Sequence, residues 1–334
     1  MLRNITSTII GCTPCDNLAI YISILIWYNY TINRKDNMSK TKQYLQDFAG
    51  NLAQAMMKNG SNWQKMFGKN SLPFNASTNK RYKGINFLML NYETQKKEYS
   101  QPIFASYKQW ASLKGQVKKG STGTPIVFYR PLTQPSKIDP TKEVQAGMVL
   151  NYSKVFNIDQ VDLTKSKYTP PIFKTGKQYS ITEIDNFVKA TKVEIKHSEG
   201  NGCFYRESED FVNMELKSNF KDTSESDATV HYYSTLFHEL THSTKHENRL
   251  NRKNKFAGEG FIDLVSNKSY AYEELIAEIG SILFSHEFNI EKTVRDNHAK
   301  YLNSWIKCLN NDYTFLTGAT AQAQKAVDYF VSSK

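Results

Sequence analysis

Apolar positions recur at helical spacing in some stretches of this chain and at strand spacing in others. Met38–Asn59 reads as an amphipathic helix, with Gly60 a natural stop just beyond it. Phe87-Leu-Met-Leu90 reads as a strand-like run, and Phe104–Trp110 as a helix or the entry to one. Ile126–Arg130 reads as a strand leaving the Gly-rich turn Lys118–Gly123. These elements predict a compact α+β domain ending near Pro131, with the polar stretch Pro131–Gly147 as a long loop. Val149–Asp159 returns as a strand, and Thr164–Gly176, with its Pro170-Pro171 pair, is the expected linker. A second domain opens with a helix over Ile181–Thr191, and Gly202–Met214 is read as including a strand. The expected boundaries are 38–163, a linker at 164–180, and 181–334.

Residues 1–37 fit neither domain. The apolar run Leu18–Tyr30 is thirteen residues long, short of the ~20 that span a bilayer. Arg3 is the one basic residue of the leading segment and no small-x-small cleavage site follows, so a signal peptide is not indicated either. Met38-Ser-Lys-Thr-Lys reads as a natural start, which makes 1–37 an over-extended reading frame. Four cysteines, Cys12, Cys15, Cys203 and Cys308, are too scattered for a disulfide framework and suit a reducing, cytoplasmic compartment. Cys12-Thr-Pro-Cys15 has redox spacing but no βαβ context, and reads as incidental.

Charge separates the two halves. Met38–Leu150 holds seventeen Lys and Arg against five Asp and Glu, a net of +12, while Asn151–Lys334 holds 23 against 25. Such asymmetry suggests a polyanion partner for the basic half. Basic side chains that track phosphates, interleaved with aromatics that stack on bases, are what a single-strand binder needs. Neither a recognition helix nor zinc fingers for duplex DNA is evident, and no basic amphipathic helix points to a membrane. Lys80, Arg81, Lys83, Lys118 and Lys119 flank turns and are the expected phosphate contacts, with Tyr82 and Trp110 as stacking candidates.

The second half carries His238-Glu239-Leu240-Thr241-His242. Histidines four apart share a helix face and can reach one ion. Glu239, one position round, can hold a water at that ion without being a ligand. Leu236, Phe237 and Leu240 would equally supply the buried side of a plain amphipathic helix. Hydrolytic zinc sites keep three protein ligands, so a third must come from elsewhere. Asn248 and Lys245 stand where one class of zinc peptidase has a third His and its intervening Gly. A later helix fits better. Glu273-Glu274-Leu275-Ile276-Ala277-Glu278-Ile279 resembles the Asn-Glu-x-x-Ser-Asp helix of thermolysin-like gluzincins. That resemblance makes Glu274 the ligand, with Glu273 the other candidate. It also places Glu278 behind a ligating His, orienting it through its free ring nitrogen. His246 has drifted about 40° beyond the His238–His242 line, which suits a surface or supporting position. His231 is a candidate transition-state donor or an ordinary structural His, and Phe211-Val-Asn-Met214 either a substrate-pairing strand or a core strand.

The order of motifs resembles the ArdC-type antirestriction proteins of plasmids and phages. It runs Pro73-Phe-Asn75-Ala76, Tyr82-x-Gly84-Ile85-Asn86, Val117-Lys118-Lys119-Gly120 and Val155-Phe156-Asn157-x-Asp159-Gln160. The His-Glu motif, Arg249-Leu250-x-Arg252, Tyr270–Glu278, Tyr301–Trp305 and Ala323–Ala326 follow. The resemblance covers Ser39 to the C-terminus. It implies an α+β chain of two domains, a basic single-stranded-DNA-binding one and a mainly helical zincin-like metallopeptidase one with a small sheet. Zn²⁺ held by His238, His242 and Glu274, with Glu239 as general base, is the expected site. Two roles are open: a binder that occludes incoming DNA, and a peptidase recruited to DNA that cuts a restriction enzyme or another DNA-bound protein.

Overall fold

The computed structural model describes residues 40–67, 72–135, 143–171, 180–222, 227–253, 255–256, 268–290 and 299–332. The expectations on residues 1–37, the start at Met38 and the linker positions 172–179 lie outside them.

Helix α1 spans 40–59. It buries Leu45, Phe48, Ala49, Leu52, Ala53 and Met56, the three-and-four spacing of a single apolar stripe. Gly60 adopts φ 57°, which a side-chain-bearing residue resists, and turns the chain into a 3-10 segment, Gly60–Phe67. Short strands β1 (Phe74–Asn75) and β2 (Lys80–Arg81) lead to α2 (Ile85–Lys96), β3 (Ile103–Ser106) and α3 (Tyr107–Ser112). Ser106 and Gln109 cap α3 reciprocally. Next come β4 (Gln116–Val117), the long strands β5 (Thr124–Pro135) and β6 (Glu143–Asn157), and β7 (Val161–Asp162), which pairs with β4.

The main sheet runs β2-β1-β3-β6-β5. Two expectations fail here. Phe87–Leu90 lies inside α2, and all four side chains are buried. A short continuous apolar run is compatible with a helix buried on several sides, and Leu and Met favour one. Pro131–Gly147 is also not a loop in its described parts: β5 continues to Pro135 and β6 starts at Glu143. Proline is tolerated there because β5 is the edge strand, where a missing N–H breaks no ladder bond.

Contacts divide the chain into two compact units. One comprises residues up to Tyr44 together with Phe128–Tyr152, and the other Leu45–Val127 with Ser153–Lys334. In the first, Tyr44 meets Tyr152 edge-on at 5.0 Å, and Phe128, Tyr129, Val144 and Met148 are exposed. The second holds everything else, including α4 (Ile181–Ala190) and strands β8 (Glu194–His197), β9 (Phe204–Arg206) and β10 (Phe211–Met214). These strands form a sheet ordered β8-β10-β9. Phe211–Met214 is therefore the paired centre of a sheet and all four of its residues are buried, so it cannot pair with a peptide.

Helices α5 (Ala228–Ser243), α6 (Lys268–Glu287), α7 (Ala299–Asn311) and α8 (Tyr313–Val331) complete the unit, with α6 packed against the other three. The segment 45–127 packs into the same unit. Trp63 meets Trp305 edge-on at 6.0 Å, and the Gln46 amide donates to the Leu309 and Asn310 carbonyls at 3.0 and 3.1 Å. No described helix is long and apolar enough to cross a membrane.

Small residues set how closely α5 and α6 approach. Ser281 donates to the Ser234 carbonyl at 2.9 Å, and Gly280 lies against Thr241. A Cβ added at Gly280 would sit 2.4 Å from Thr241 Oγ1 and 2.9 Å from Thr241 Cβ, so rotating the threonine does not relieve the clash. Elsewhere in a helix Gly→Ala gains about 1 kcal/mol; here overpacking of about 1–3 kcal/mol opposes it. Gly280→Ala is expected to lower the urea midpoint, and adding Thr241→Ala to restore part of it. A midpoint raised by Gly280→Ala alone would contradict this packing.

A candidate metal centre

Helix α5 is capped by Asp227, whose carboxylate accepts from the Val230 N–H at 2.8 Å. From Tyr232 to Ser243 every residue is buried. Phe237 stacks on Phe284 and Phe288 at 5.1 and 5.4 Å, which fixes the rotation of α5 against α6. His238 and His242 then face α6, with Glu239 beside them, at 4 %, 8 % and 4 % exposure. Such burial of polar groups is expensive unless each is satisfied.

His238, His242 and Glu274 each offer one ligand atom, all within 4.8 Å of one another. The two Nε2 atoms are 3.0 Å apart, and the Glu274 carboxylate oxygens lie 3.4 Å from His238 Nε2 and 3.5 Å from His242 Nε2. Ligands about 2.0–2.1 Å from a tetrahedral ion stand roughly 3.3 Å from each other, so the two ring nitrogens and the Glu274 carboxylate fit one. The ring tautomers agree. His238 Nδ1 is 2.8 Å from Glu278 Oε1 and His242 Nδ1 is 3.0 Å from Glu273 Oε1. The hydrogen bond to Glu273 selects for His242 the tautomer with the proton on Nδ1, and the close Glu278 carboxylate favours the same tautomer for His238, which leaves two Nε2 lone pairs and a carboxylate converging on one point. A cation would resolve that convergence.

Glu273, the other ligand candidate, is thus placed behind His242 rather than among the converging atoms. Arg252 clamps it, with Nη2 2.8 Å from Oε1 and Nη1 3.0 Å from Oε2. Burial raises the Glu273 pKa, but the His242 hydrogen bond and the Arg252 charge outweigh it and hold the group down to about 2. Glu274 is likewise lifted by burial and pulled below its ordinary value by His238 and His242. On the other side, Gln64 donates its amide to Glu278 Oε2. Tyr270, hydrogen-bonded to Glu274 and Tyr301, is pushed well above the usual phenol range by burial and by the Glu274 charge.

Sequence spacing does not reveal Gln64, Arg252 or Tyr270 as site residues. Arg252 stands in a motif after the His helix, yet nothing in that motif shows that it reaches Glu273. His246 lies apart from the cluster, 3.5 Å from Asp210, and His231 is half-buried near the start of α5.

The expected DNA contacts divide. Lys80, Lys118 and Lys119 are exposed. Arg81 pairs with Glu287 at 2.7 Å and Lys83 with Asp328 at 2.9 Å, on the surfaces of α6 and α8. Trp110 is fully buried and donates to the Phe156 carbonyl at 2.9 Å, so it is a core residue and cannot stack on a base. Tyr82 is half-buried, its hydroxyl accepts from Asn75 at 2.8 Å, and burial pushes its pKa up to about 12, which fits a packed ring too. Among the described residues, the large exposed aromatics of this half are instead Tyr107, Phe128 and Tyr129.

Comparison with known proteins finds a separate match for each half of the chain. Residues 42–156 match the N-terminal domain of the anti-restriction factor ArdC, and 182–322 match a zincin-like metallopeptidase domain. Two Escherichia coli DNA primases named TraC are 30% identical over 327 and 313 residues, which is 91% and 87% of this chain. The chain spans only 21% and 27% of their length. The uncharacterized protein y4eC of Sinorhizobium fredii is 29% identical over 264 residues, covering 77% of this chain and 80% of that protein. The metal-free crystal structure of antirestriction protein ArdC from plasmid R388 superposes with a TM-score of 0.70 at 28% identity, covering 86% of this chain and 97% of that one. Its Mn(II)-bound structure superposes with a TM-score of 0.68 at 29% identity, covering 87% and 97%. The zincin-like domain and the Mn(II)-bound relative imply a divalent metal for this centre. The chain thus joins a segment that matches the ArdC N-terminal domain to one that matches the zincin-like metallopeptidase domain, and over most of its length it is similar in fold to the antirestriction protein ArdC of plasmid R388.

Proposed function

We propose that this protein binds single-stranded DNA through its basic N-terminal half and carries a zinc-dependent peptidase centre. In this reading it protects incoming mobile-element DNA from host restriction. The observation that carries the catalytic part is the buried convergence of His238, His242 and Glu274 beside Glu239. A site that served only to hold the fold together would need no glutamate at that position.

When bound, the ion would acidify a water and polarise the scissile carbonyl. Glu239 would take a proton from the attacking water at its carboxylate as the oxygen–carbon bond forms. It returns the proton to the departing amine nitrogen as the carbon–nitrogen bond breaks. Glu278 and Glu273 hold the two imidazoles in register through Nδ1, and Arg252 keeps Glu273 ionised and fixed. Tyr270, kept protonated by burial and by the Glu274 charge, helps orient the Glu274 carboxylate through its hydroxyl.

The DNA part rests on the net +12 of Met38–Leu150, on exposed Lys80, Lys118 and Lys119, and on exposed Tyr107, Phe128 and Tyr129. A restriction enzyme or another DNA-bound protein is the substrate class this arrangement suits. The competing role, occlusion of DNA without proteolysis, separates from it in one assay. Glu239→Gln is expected to lower peptide hydrolysis by about 10²–10⁴-fold while metal affinity is retained. Protection of transferred DNA should fall with it; full protection by the variant would assign the activity to occlusion. Charge reversal at Lys118 and Lys119 is expected to weaken single-strand binding. The slope of log affinity against log salt should drop by about 0.7 for each phosphate left without its lysine, as read by fluorescence anisotropy. An unchanged slope would remove those two lysines from the DNA surface.

A further inference from the structure

The two histidines are supported unequally. Behind His242, Glu273 is clamped by Arg252, which follows the His helix by a few residues within the C-terminal half. Behind His238, the donor to Glu278 is Gln64, 214 residues away in sequence and in the N-terminal half. Gln64 is 2 % exposed and Glu278 1 %. The segment that carries Gln64 is wedged in place. Trp63 sits edge-on to Trp305 and to Phe67, the Trp305 indole donates to the Ala271 carbonyl at 2.7 Å, and the Phe67 carbonyl lies 3.1 Å from His286 Nε2. Both Ala271 and His286 belong to α6, so the wedge grips the helix that presents Glu274 and Glu278.

From this geometry we infer that Gln64 is a positioning residue of the metal centre, so that the N-terminal half completes the coordination environment of His238. Its amide fixes one oxygen of Glu278 and thereby aims the other at His238 Nδ1. That sets the ring plane and directs Nε2 toward the ion position. The donor is a neutral amide, not a guanidinium. The Gln64 amide therefore orients Glu278 without adding a positive charge beside it. Arg252 performs the matching task for His242 with a full positive charge. The inference rests on reading His238, His242 and Glu274 as the metal site.

The test is the affinity of the full chain for Zn²⁺ and for Mn²⁺, measured by competition against a chromophoric chelator. Gln64→Met and Gln64→Leu keep most of the volume and remove the donor. Each is expected to weaken metal binding by about tenfold or more. Gln46→Met removes another tie between the halves, to Leu309, Asn310 and Tyr313, and is expected to leave affinity at the wild-type value. In a Glu278→Gln background the Gln64 substitutions should have little further effect, because the residue acts through that carboxylate. The inference is overturned by wild-type affinity in both Gln64 variants, by an equal loss in Gln46→Met, or by the same loss with and without Glu278. A wild-type chain that binds neither ion would instead overturn the metal reading itself.

Discussion

The close crossing of α5 and α6 is the constraint on which the rest depends. His238, His242 and Glu239 come from one helix and Glu273, Glu274 and Glu278 from the other. The ligand atoms of His238, His242 and Glu274 converge, with Glu278 and Glu273 behind the rings, only if the two backbones come together more tightly than ordinary side chains permit. Gly280 against Thr241, with Ser281 against Ser234, allows that approach. The Phe237–Phe284–Phe288 stack then fixes which faces meet. Packing specifies the centre before any polar contact is considered.

That approach gathers four carboxylates, Glu239, Glu273, Glu274 and Glu278, in and around one buried locus, against two imidazoles and the Arg252 guanidinium. Buried charge persists when it is paired and hydrogen-bonded, and the arrangement meets this through specialisation. Glu273 is ionised and held by Arg252; Glu278 is oriented by Gln64; Glu274 turns toward the two Nε2 atoms. The acidic surplus at the point of convergence is what a divalent cation would neutralise. Each histidine acquires a carboxylate on its far side, so ring orientation and tautomer are set together.

The His-Glu motif and the Glu-rich helix are legible in the sequence because both depend on spacing along one helix, and a helix fixes the relation of residues three or four apart. Interactions spanning long sequence separations are not. Gln64 reaches Glu278 across 214 positions, and no local pattern marks it. The errors have the same origin. Phe87–Leu90 reads as a strand because a four-residue apolar run carries no period, and its place in α2 is set by burial on several sides. Trp110 suggests a stacking residue because it sits among basic residues in sequence, whereas its indole is spent on the Phe156 carbonyl in the core. Phe211–Met214 has the composition of either an edge or a central strand, and only the pairing of β8 and β9 on both sides decides. Of the basic residues, Arg81 and Lys83 are partly engaged with acidic groups on α6 and α8, exposed pairs of the kind worth about 0–1 kcal/mol. Charge counting does not distinguish them from Lys80 or Lys119.

The most direct test of the central claim is anomalous X-ray diffraction from crystals of the full chain grown with zinc, recorded on either side of the zinc absorption edge. The account predicts one strong internal peak about 2.0–2.2 Å from His238 Nε2, His242 Nε2 and a Glu274 oxygen, with Glu273 and Glu278 remaining on the Nδ1 sides of the rings. A peak bonded to Glu273 instead, or no peak between α5 and α6, would contradict it.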